Sequence, residues 1–137
     1  MSSANKTAPV LVVDDDDSIR ETLRFALEDE GYEVLEAKSG AEALDILPKA
    51  SRRLIVLLDH VLGDIDGVSV LRQLAQHLSQ AARHMYVLVT ASAAVETLEQ
   101  ELRDLPLAPI TVIRKPFDID ALFAAVREAN SQLDACG

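Results

Sequence analysis

The sequence is poor in cysteine and in long apolar runs, and both features restrict the cellular compartments in which we expect the protein. Its single cysteine, Cys136, cannot form an internal disulfide, which fits a reducing compartment. No apolar run approaches the ~20 residues that a membrane-spanning helix needs. The first nine residues also lack the apolar segment of a secretory signal. We therefore expect a cytoplasmic protein that does not enter membranes.

Basic residues are scarce as well. The chain has 13 Lys and Arg residues against 23 Asp and Glu residues, which gives a net charge of −10. A protein neutralises nucleic-acid phosphates with clustered Lys and Arg, and no stretch concentrates the basic residues here. We therefore expect no direct binding of nucleic acid. The acidic residues are unevenly placed, because Asp14 to Asp17 form a run of four directly after the apolar residues 10–13.

The chain alternates short apolar runs with amphipathic stretches. Its 137 residues, 49% of them apolar, suit a single domain. We predict a disordered leader over residues 1–8, one domain over 9–133 and a tail over 134–137. Predicted strands lie at 10–13, 32–37, 54–58, 86–89 and 110–113, and predicted helices at 18–30, 39–47, 68–78, 95–105 and 118–133.

The order of these elements indicates the fold class. Strands that alternate with helices pair in parallel through right-handed crossovers, and helices then cover both faces of the sheet. We predict an α/β, doubly wound, five-stranded parallel sheet of the flavodoxin-like type in the order 2-1-3-4-5. This order puts the partly polar second strand at an edge, and another five-stranded parallel order is the alternative. Gly31 and Pro48 are predicted to end the first two helices. Asp16 and Asp17 suit the start of the first helix, and Asp118 the start of the last.

Polar side chains stand at the carboxyl ends of four predicted strands. Asp14 and Asp15 follow the first strand and Asp59 the third. Thr90 follows the fourth strand and Lys115 the fifth. Taken singly, each has an ordinary explanation as a helix cap, a turn residue, a strand end or a solvated charge. Ligands of open parallel sheets bind beyond these strand ends, however, so their joint placement favours one shared crevice.

Three converging carboxylates need a compensating charge. They repel one another and raise each other's pKa, and a hard divalent cation on oxygen ligands, Mg²⁺ or Mn²⁺, relieves that repulsion. A carboxylate can accept a phosphoryl group when the charge on the transferring oxygens is neutralised. We predict that Asp59 is the acceptor. Lys115 would supply a second positive charge, and Thr90 would donate a hydrogen bond to a phosphoryl oxygen.

These motifs together resemble the receiver domain of two-component response regulators. The residues that carry the resemblance are Val-Val-Asp14-Asp15, Leu-Leu-Asp59 with Asp66-Gly67, Val-Thr90-Ala91 and Lys115-Pro116-Phe117. The resemblance covers about residues 10–133. It implies that Asp59 takes a phosphoryl group from a sensor-kinase phosphohistidine with Mg²⁺ and so switches a protein-interaction surface. The protein would be a signalling phosphoacceptor in a phosphorelay, and not an enzyme with turnover.

The resemblance also implies ligands and partners. Asp15, Asp59 and the backbone carbonyl of Val61 would bind Mg²⁺ directly, and Asp14 would act through water. The strand-end threonine and lysine would bind the phosphoryl oxygens, and the bond after the lysine is usually cis. The implied partners are a sensor histidine kinase or phosphotransfer protein and a downstream protein of unknown identity. We expect a single-domain response regulator, and the sequence leaves homodimer formation open.

Several positions depart from the usual family pattern. Gly63 stands where many members have proline, which predicts a more flexible loop after the acceptor. Val112 stands where many have an aromatic residue, so a threonine–aromatic switch would lack its aromatic member. Residues 105–109 replace a glycine-alanine-acid run. Val61 and Ser92 occupy positions that influence the access of water, and Val61 cannot orient water by a side-chain hydrogen bond. We therefore predict an aspartyl phosphate that is not especially short-lived.

Three other interpretations stay open. An enzyme of the haloacid dehalogenase class also places Asp, Thr and Lys at strand ends, but residues 90–94 lack the further acidic residues that it needs. A module of the same fold that is never phosphorylated would not need the complete set of polar residues. A flavodoxin-like domain for another ligand has no glycine-rich phosphate loop here to support it. The histidines add no acid–base site: His60 is expected on the loop surface, and His77 and His84 have no recognisable partner.

Overall fold

The sheet has the predicted order in the computed structural model, which describes residues 7–91, 95–107 and 110–136. Its parallel strands lie in the order β2-β1-β3-β4-β5. They are Val10–Val13 (β1), Val34–Ala37 (β2), Ile55–Asp59 (β3), Met85–Ala91 (β4) and Thr111–Lys115 (β5). The helices are Asp17–Asp29 (α1), Gly40–Lys49 (α2), Gly67–Ala75 (α3), Leu78–Ala81 (α4), Val95–Arg103 (α5) and Ile119–Cys136 (α6). Within the described ranges, no helix is both long enough and apolar enough to cross a membrane.

The apolar runs of the central strands build a core on each face of the sheet. Every residue of β1 and β3 is buried, as expected for strands covered on both sides. Successive side chains of a strand point to opposite faces. Val56 and Leu58 therefore pack with side chains of α2, α3 and α5, whereas Ile55 and Leu57 pack with those of α1 and α6. Strand β2 buries only Ala37 and lies at the edge, as predicted.

Capping residues fix both ends of α1 and the start of α6. The Asp16 carboxylate accepts hydrogen bonds from two first-turn amides of α1, at 2.9 and 3.2 Å. Gly31 follows the last turn of α1 with φ +96°, and the Asp118 carboxylate accepts from the Ala121 amide at 2.8 Å. The predicted roles of these three residues are confirmed.

Several predicted element ends are wrong. Helix α2 passes through Pro48 and ends at Lys49, since a proline in the last turn removes only one helical hydrogen bond. The predicted helix 68–78 ends at Ala75 and a separate short helix, α4, follows, although no Gly or Pro marks the break. Helix α6 continues to Cys136, through residues predicted as a tail. Residues 1–6 of the predicted leader lie outside the described residues, as do Ser92 and residues 108–109 of the departing 105–109 segment.

His84 is a buried link between α2 and the start of β4. Its side chain is 1% exposed, and its Nδ1 accepts a hydrogen bond from the Leu54 amide at 2.9 Å. Its Nε2 lies 3.1 Å from the Leu47 carbonyl and donates to it in the matching neutral tautomer. Burial lowers the pKa of His84. The expectation that His84 lacks a partner is therefore wrong, because its partners are backbone groups that no side-chain pattern shows.

Candidate functional site

Three carboxylates meet where β1 and β3 end side by side. Asp14 and Asp15 follow β1, and Asp59 is the last residue of β3. One oxygen of each carboxylate lies within 4.8 Å of the other two. Asp14 and Asp59 are buried, whereas Asp15 is exposed. The structure therefore brings the three predicted metal-binding side chains together in a cluster that opens to solvent on the Asp15 side.

The electrostatics of this cluster show the expected repulsion at its most buried member. Burial raises the pKa of the Asp14 carboxyl, and the Asp59 and Asp15 carboxylates raise it further. A hydrogen bond of 2.9 Å from the Asp16 amide to Asp14 Oδ1 acts in the opposite direction. A cation among these oxygens would favour the charged form of Asp14.

Lys115 supplies a positive charge next to the cluster. Its Nζ lies 3.2 Å from Asp59 Oδ1, and its side chain is 37% exposed against 10% for that of Asp59. The ammonium therefore reaches the buried carboxylate from the solvent side. The bond from Lys115 to Pro116 is cis, as the resemblance implies.

Thr90 lies in β4, one residue beyond Val89, the register partner of Asp59. The threonine is 2% exposed and stands on the strand that separates β3 from β5. It shares the carboxyl edge of the sheet with the acidic cluster and with Lys115. The predicted placement of all five polar side chains at one edge is therefore observed.

The Asp66-Gly67 motif starts α3 directly beside the acceptor strand. The Asp66 carboxylate accepts from the Ser69 amide at 2.7 Å, and this bond lowers the pKa of Asp66. The Gly67 amide donates to the His60 carbonyl at 2.7 Å. A Cβ at Gly67 would lie 2.9 Å from the Asp59 carbonyl oxygen, which is too close for ordinary packing. The glycine thus lets the helix approach the backbone of Asp59.

The two residues after Asp59 differ in exposure. The Val61 side chain is exposed, and the role of its carbonyl as a metal ligand stays a prediction. His60, in the same loop, is half-buried. Its Nδ1 is shielded from solvent and has no hydrogen-bond partner in the part of the chain that the structure describes. The expected surface position of His60 therefore holds for only part of its side chain.

A cleft of about 640 Å³ lies beside the carboxylates, at the edge of the sheet where the sequence predicts a shared crevice, but its largely apolar lining was not predicted. Asp14, Asp59 and Lys115 contribute to its lining, and most of the remaining lining is apolar. Ile19 of α1 and Ile119 of α6 lie on it, and both are partly exposed. This apolar lining combines residues from several separate elements, so no local sequence pattern reveals it.

An acidic crevice at the carboxyl edge of a five-stranded parallel sheet, with a lysine against its central carboxylate, defines the receiver class of α/β domains. Residues 10–127 match the family model of the response regulator receiver domain. The chain belongs to this family of signalling domains, and the resemblance is confirmed.

Two relatives and one solved structure illustrate the similarity. Sporulation initiation phosphotransferase F of Bacillus subtilis is 32% identical over 119 residues, which cover 87% of this chain and 90% of that protein. The uncharacterized transcriptional regulatory protein YkoG of the same species is 33% identical over 123 residues, which cover 90% of this chain and 51% of YkoG. The response regulator TrrA of Thermotoga maritima, solved in complex with Mg²⁺-BeF, is 27% identical with a TM-score of 0.73, covering 89% of this chain and 98% of that one.

The chain spans about half the length, or less, of most of the curated relatives it matches, and phosphotransferase F is the exception among those compared. The regulatory outputs of these longer proteins are therefore not assigned to this chain.

Proposed function

We propose that Asp59 accepts a phosphoryl group from the phosphohistidine of a sensor kinase or phosphotransfer protein. The observation that carries the proposal is the geometry around this residue. Its carboxylate lies in a cluster with Asp14 and Asp15 and 3.2 Å from the Lys115 ammonium. A nearly buried nucleophile flanked by a cation and by metal-binding oxygens is what phosphoryl transfer to a carboxylate requires.

The residues present fit a magnesium ion. The donors are hard carboxylate oxygens, and the raised pKa of Asp14 reflects burial and repulsion that a cation would offset. Asp15, Asp59 and the Val61 carbonyl would hold the ion directly, with Asp14 acting through water. When bound, Mg²⁺ would supply positive charge for the transferring phosphoryl oxygens. The Mg²⁺-BeF complex of TrrA supports this assignment by similarity.

The transfer step follows from the positions of the side chains. One Asp59 oxygen forms a bond to phosphorus while the phosphorus–nitrogen bond of the donor breaks. The imidazole nitrogen keeps the bonding electrons and takes up a proton. The Lys115 ammonium, which contacts Asp59 Oδ1 before transfer, then binds a phosphoryl oxygen, and the Thr90 hydroxyl donates to another. The apolar cleft beside Asp59 offers an imidazole ring a route to the carboxylate.

The phosphoryl group would act as a switch. It adds negative charge at Asp59, and movement of Thr90 and Lys115 towards it would bias a two-state surface. Val112, at the position where many family members have an aromatic residue, is half-buried against Leu88 of β4, so a switch here would lack the aromatic partner of Thr90. The partners would be the kinase and a downstream protein in the cytoplasm, with no direct contact to nucleic acid. Single-domain status and a homodimer stay predictions.

Labelling by acetyl phosphate and Mg²⁺ tests the acceptor. We expect about one phosphoryl group per chain in the unchanged protein and none in Asp59→Asn. Asp45→Asn removes an exposed acid of α2 and serves as the control, which should be labelled normally. Equal labelling of Asp59→Asn would refute the acceptor role. Catalytic turnover of a phosphate monoester would instead favour the dehalogenase-type enzyme.

A further inference from the structure

The loop between β3 and α3 is tied to the start of α2 by one carboxylate. Asp64 Oδ1 accepts a hydrogen bond from the Gly40 amide at 3.1 Å, and Asp64 Oδ2 accepts one from the Ala41 amide at 3.0 Å. These amides begin α2, where helical N–H groups lack partners within the helix and the helix dipole favours a negative charge. Accordingly, hydrogen bonds led by that from Ala41 lower the pKa of Asp64.

The next residue of the loop packs against the same helix end. A Cβ built at Gly40 would lie 2.5 Å from Cγ1 of Ile65, so the isoleucine occupies the space that a side chain at position 40 would need. The loop therefore contacts α2 in two ways, through the Asp64 carboxylate and through the Ile65 side chain.

The residue before Asp64 lies against the acidic cluster. Gly63 has φ +87°, and a Cβ at this position would lie 3.2 Å from Oδ2 of Asp15. Proline cannot adopt this φ, because its ring fixes φ near about −65°. Glycine thus lets the loop backbone pass close to a carboxylate of the site. The part of the loop that passes the acidic cluster therefore lies between Asp59, at the end of β3, and Asp64, which is held on α2.

We propose that Asp64 is a positioning residue of the metal site. Its carboxylate fixes the β3–α3 loop on α2 and so holds Gly63 beside Asp15 and keeps the Val61 carbonyl in place. This role rests on the proposed function, because it presumes that the cluster binds Mg²⁺. Many family members have proline at the position of Gly63. In this chain the Asp64 carboxylate would stabilise the loop instead.

The test compares two caps of the same helix. Ser39 also caps α2, since its Oγ accepts from the Glu42 amide at 3.0 Å, but it belongs to the β2–α2 connection and not to the β3–α3 loop. Asp64→Ala and Ser39→Ala each remove capping contacts of α2. Mg²⁺ affinity is measured by isothermal titration calorimetry on the full chain, in about 0.5 M KCl to screen the lost charge. Unfolding midpoints are measured in metal-free buffer.

We expect Asp64→Ala to weaken Mg²⁺ binding by about three- to tenfold. The effect should be at or below the low end of the range seen for residues that support metal ligands, because the Asp64 side chain is exposed. Ser39→Ala should lower the unfolding midpoint and change the Mg²⁺ affinity by less than about twofold. If Asp64→Ala does not fold, Asp64→Asn, which keeps one acceptor oxygen, replaces it in the comparison.

Two results overturn the proposal and separate it from the proposed function. Equal loss of affinity in both variants, or no loss in either, refutes the positioning role while the metal site itself stands. Absence of Mg²⁺ binding in the unchanged protein refutes the metal site and the positioning role together.

Discussion

Replacing His84 by leucine removes two hydrogen bonds that join the residue before β4 to α2 and to the residue before β3. The Leu54 amide loses its acceptor and the Leu47 carbonyl loses its donor, and both residues are buried. An unsatisfied buried polar group costs about 1–3 kcal/mol, so the two together cost about 2–6 kcal/mol. Apolar contacts of the new leucine offset part of this cost. We therefore expect His84→Leu to lower the free energy of unfolding by about 3 kcal/mol, which is a large share of a typical domain's stability.

The stability lost on replacing His84 should also depend on pH. The lowered pKa of His84 means that the folded state binds its proton less readily than the unfolded state does. Its contribution to the unfolding free energy is therefore complete above the ordinary value of 6.5 and declines as the pH falls below it towards the folded pKa. The slope from one such group is at most about 1.4 kcal/mol per pH unit.

Urea unfolding followed by far-UV circular dichroism measures both effects, at about pH 7.5 and about pH 5.5. His77 is exposed, so His77→Leu is the matched control and should change stability by less than about 0.5 kcal/mol. The stability difference between the unchanged protein and His84→Leu should shrink at the lower pH. A difference below about 0.5 kcal/mol at pH 7.5, or one independent of pH, would contradict the assigned hydrogen bonds.

Three further substitutions probe the site. Gly67→Ala should destabilise the protein by about 1–3 kcal/mol in urea unfolding, because its Cβ would meet Leu88 at 2.7 Å and the Asp59 carbonyl at 2.9 Å; unchanged stability would contradict this close packing. Asp14→Asn should raise the metal-free unfolding free energy by about 1 kcal/mol, since it removes a buried charge next to like charges, and a decrease would argue against repulsion in the cluster. Lys115→Gln should slow labelling by acetyl phosphate by about tenfold or more at saturating Mg²⁺, because a positive charge beside the transferring oxygens is lost; an equal rate would exclude that role.

The fold could be predicted because apolar pattern and element order decide it. Residues 10–13 and 55–58 are continuously apolar, and the structure buries them in the centre of the sheet. The element ends were less accessible to prediction. Helix α2 continues through a proline in its last turn, and the break after Ala75 occurs without Gly or Pro. The usual Gly and Pro stop signals therefore do not mark these two ends.

The acidic cluster could be predicted because parallel strands end at a common edge. Asp14, Asp15 and Asp59 meet for that reason, and Lys115 reaches them from the end of β5. The contacts of His84 and Asp64 could not be predicted, because their partners are backbone amides and carbonyls that become neighbours only in the fold. The loop flexibility predicted from Gly63 stays a prediction, while the left-handed φ explains why a glycine suits this position.

The most direct test of the account maps the phosphoryl group itself. The protein is labelled with acetyl phosphate and Mg²⁺, the acyl phosphate is reduced with borohydride, and the peptides are sequenced by mass spectrometry. Reduction converts a phosphorylated aspartate to homoserine, whereas an unmodified aspartate is unchanged. The account predicts homoserine at position 59 only, and none when Mg²⁺ is removed with a chelator. Homoserine at position 14 or 15 instead, or no acyl phosphate at all, would contradict the assignment of Asp59 as the acceptor.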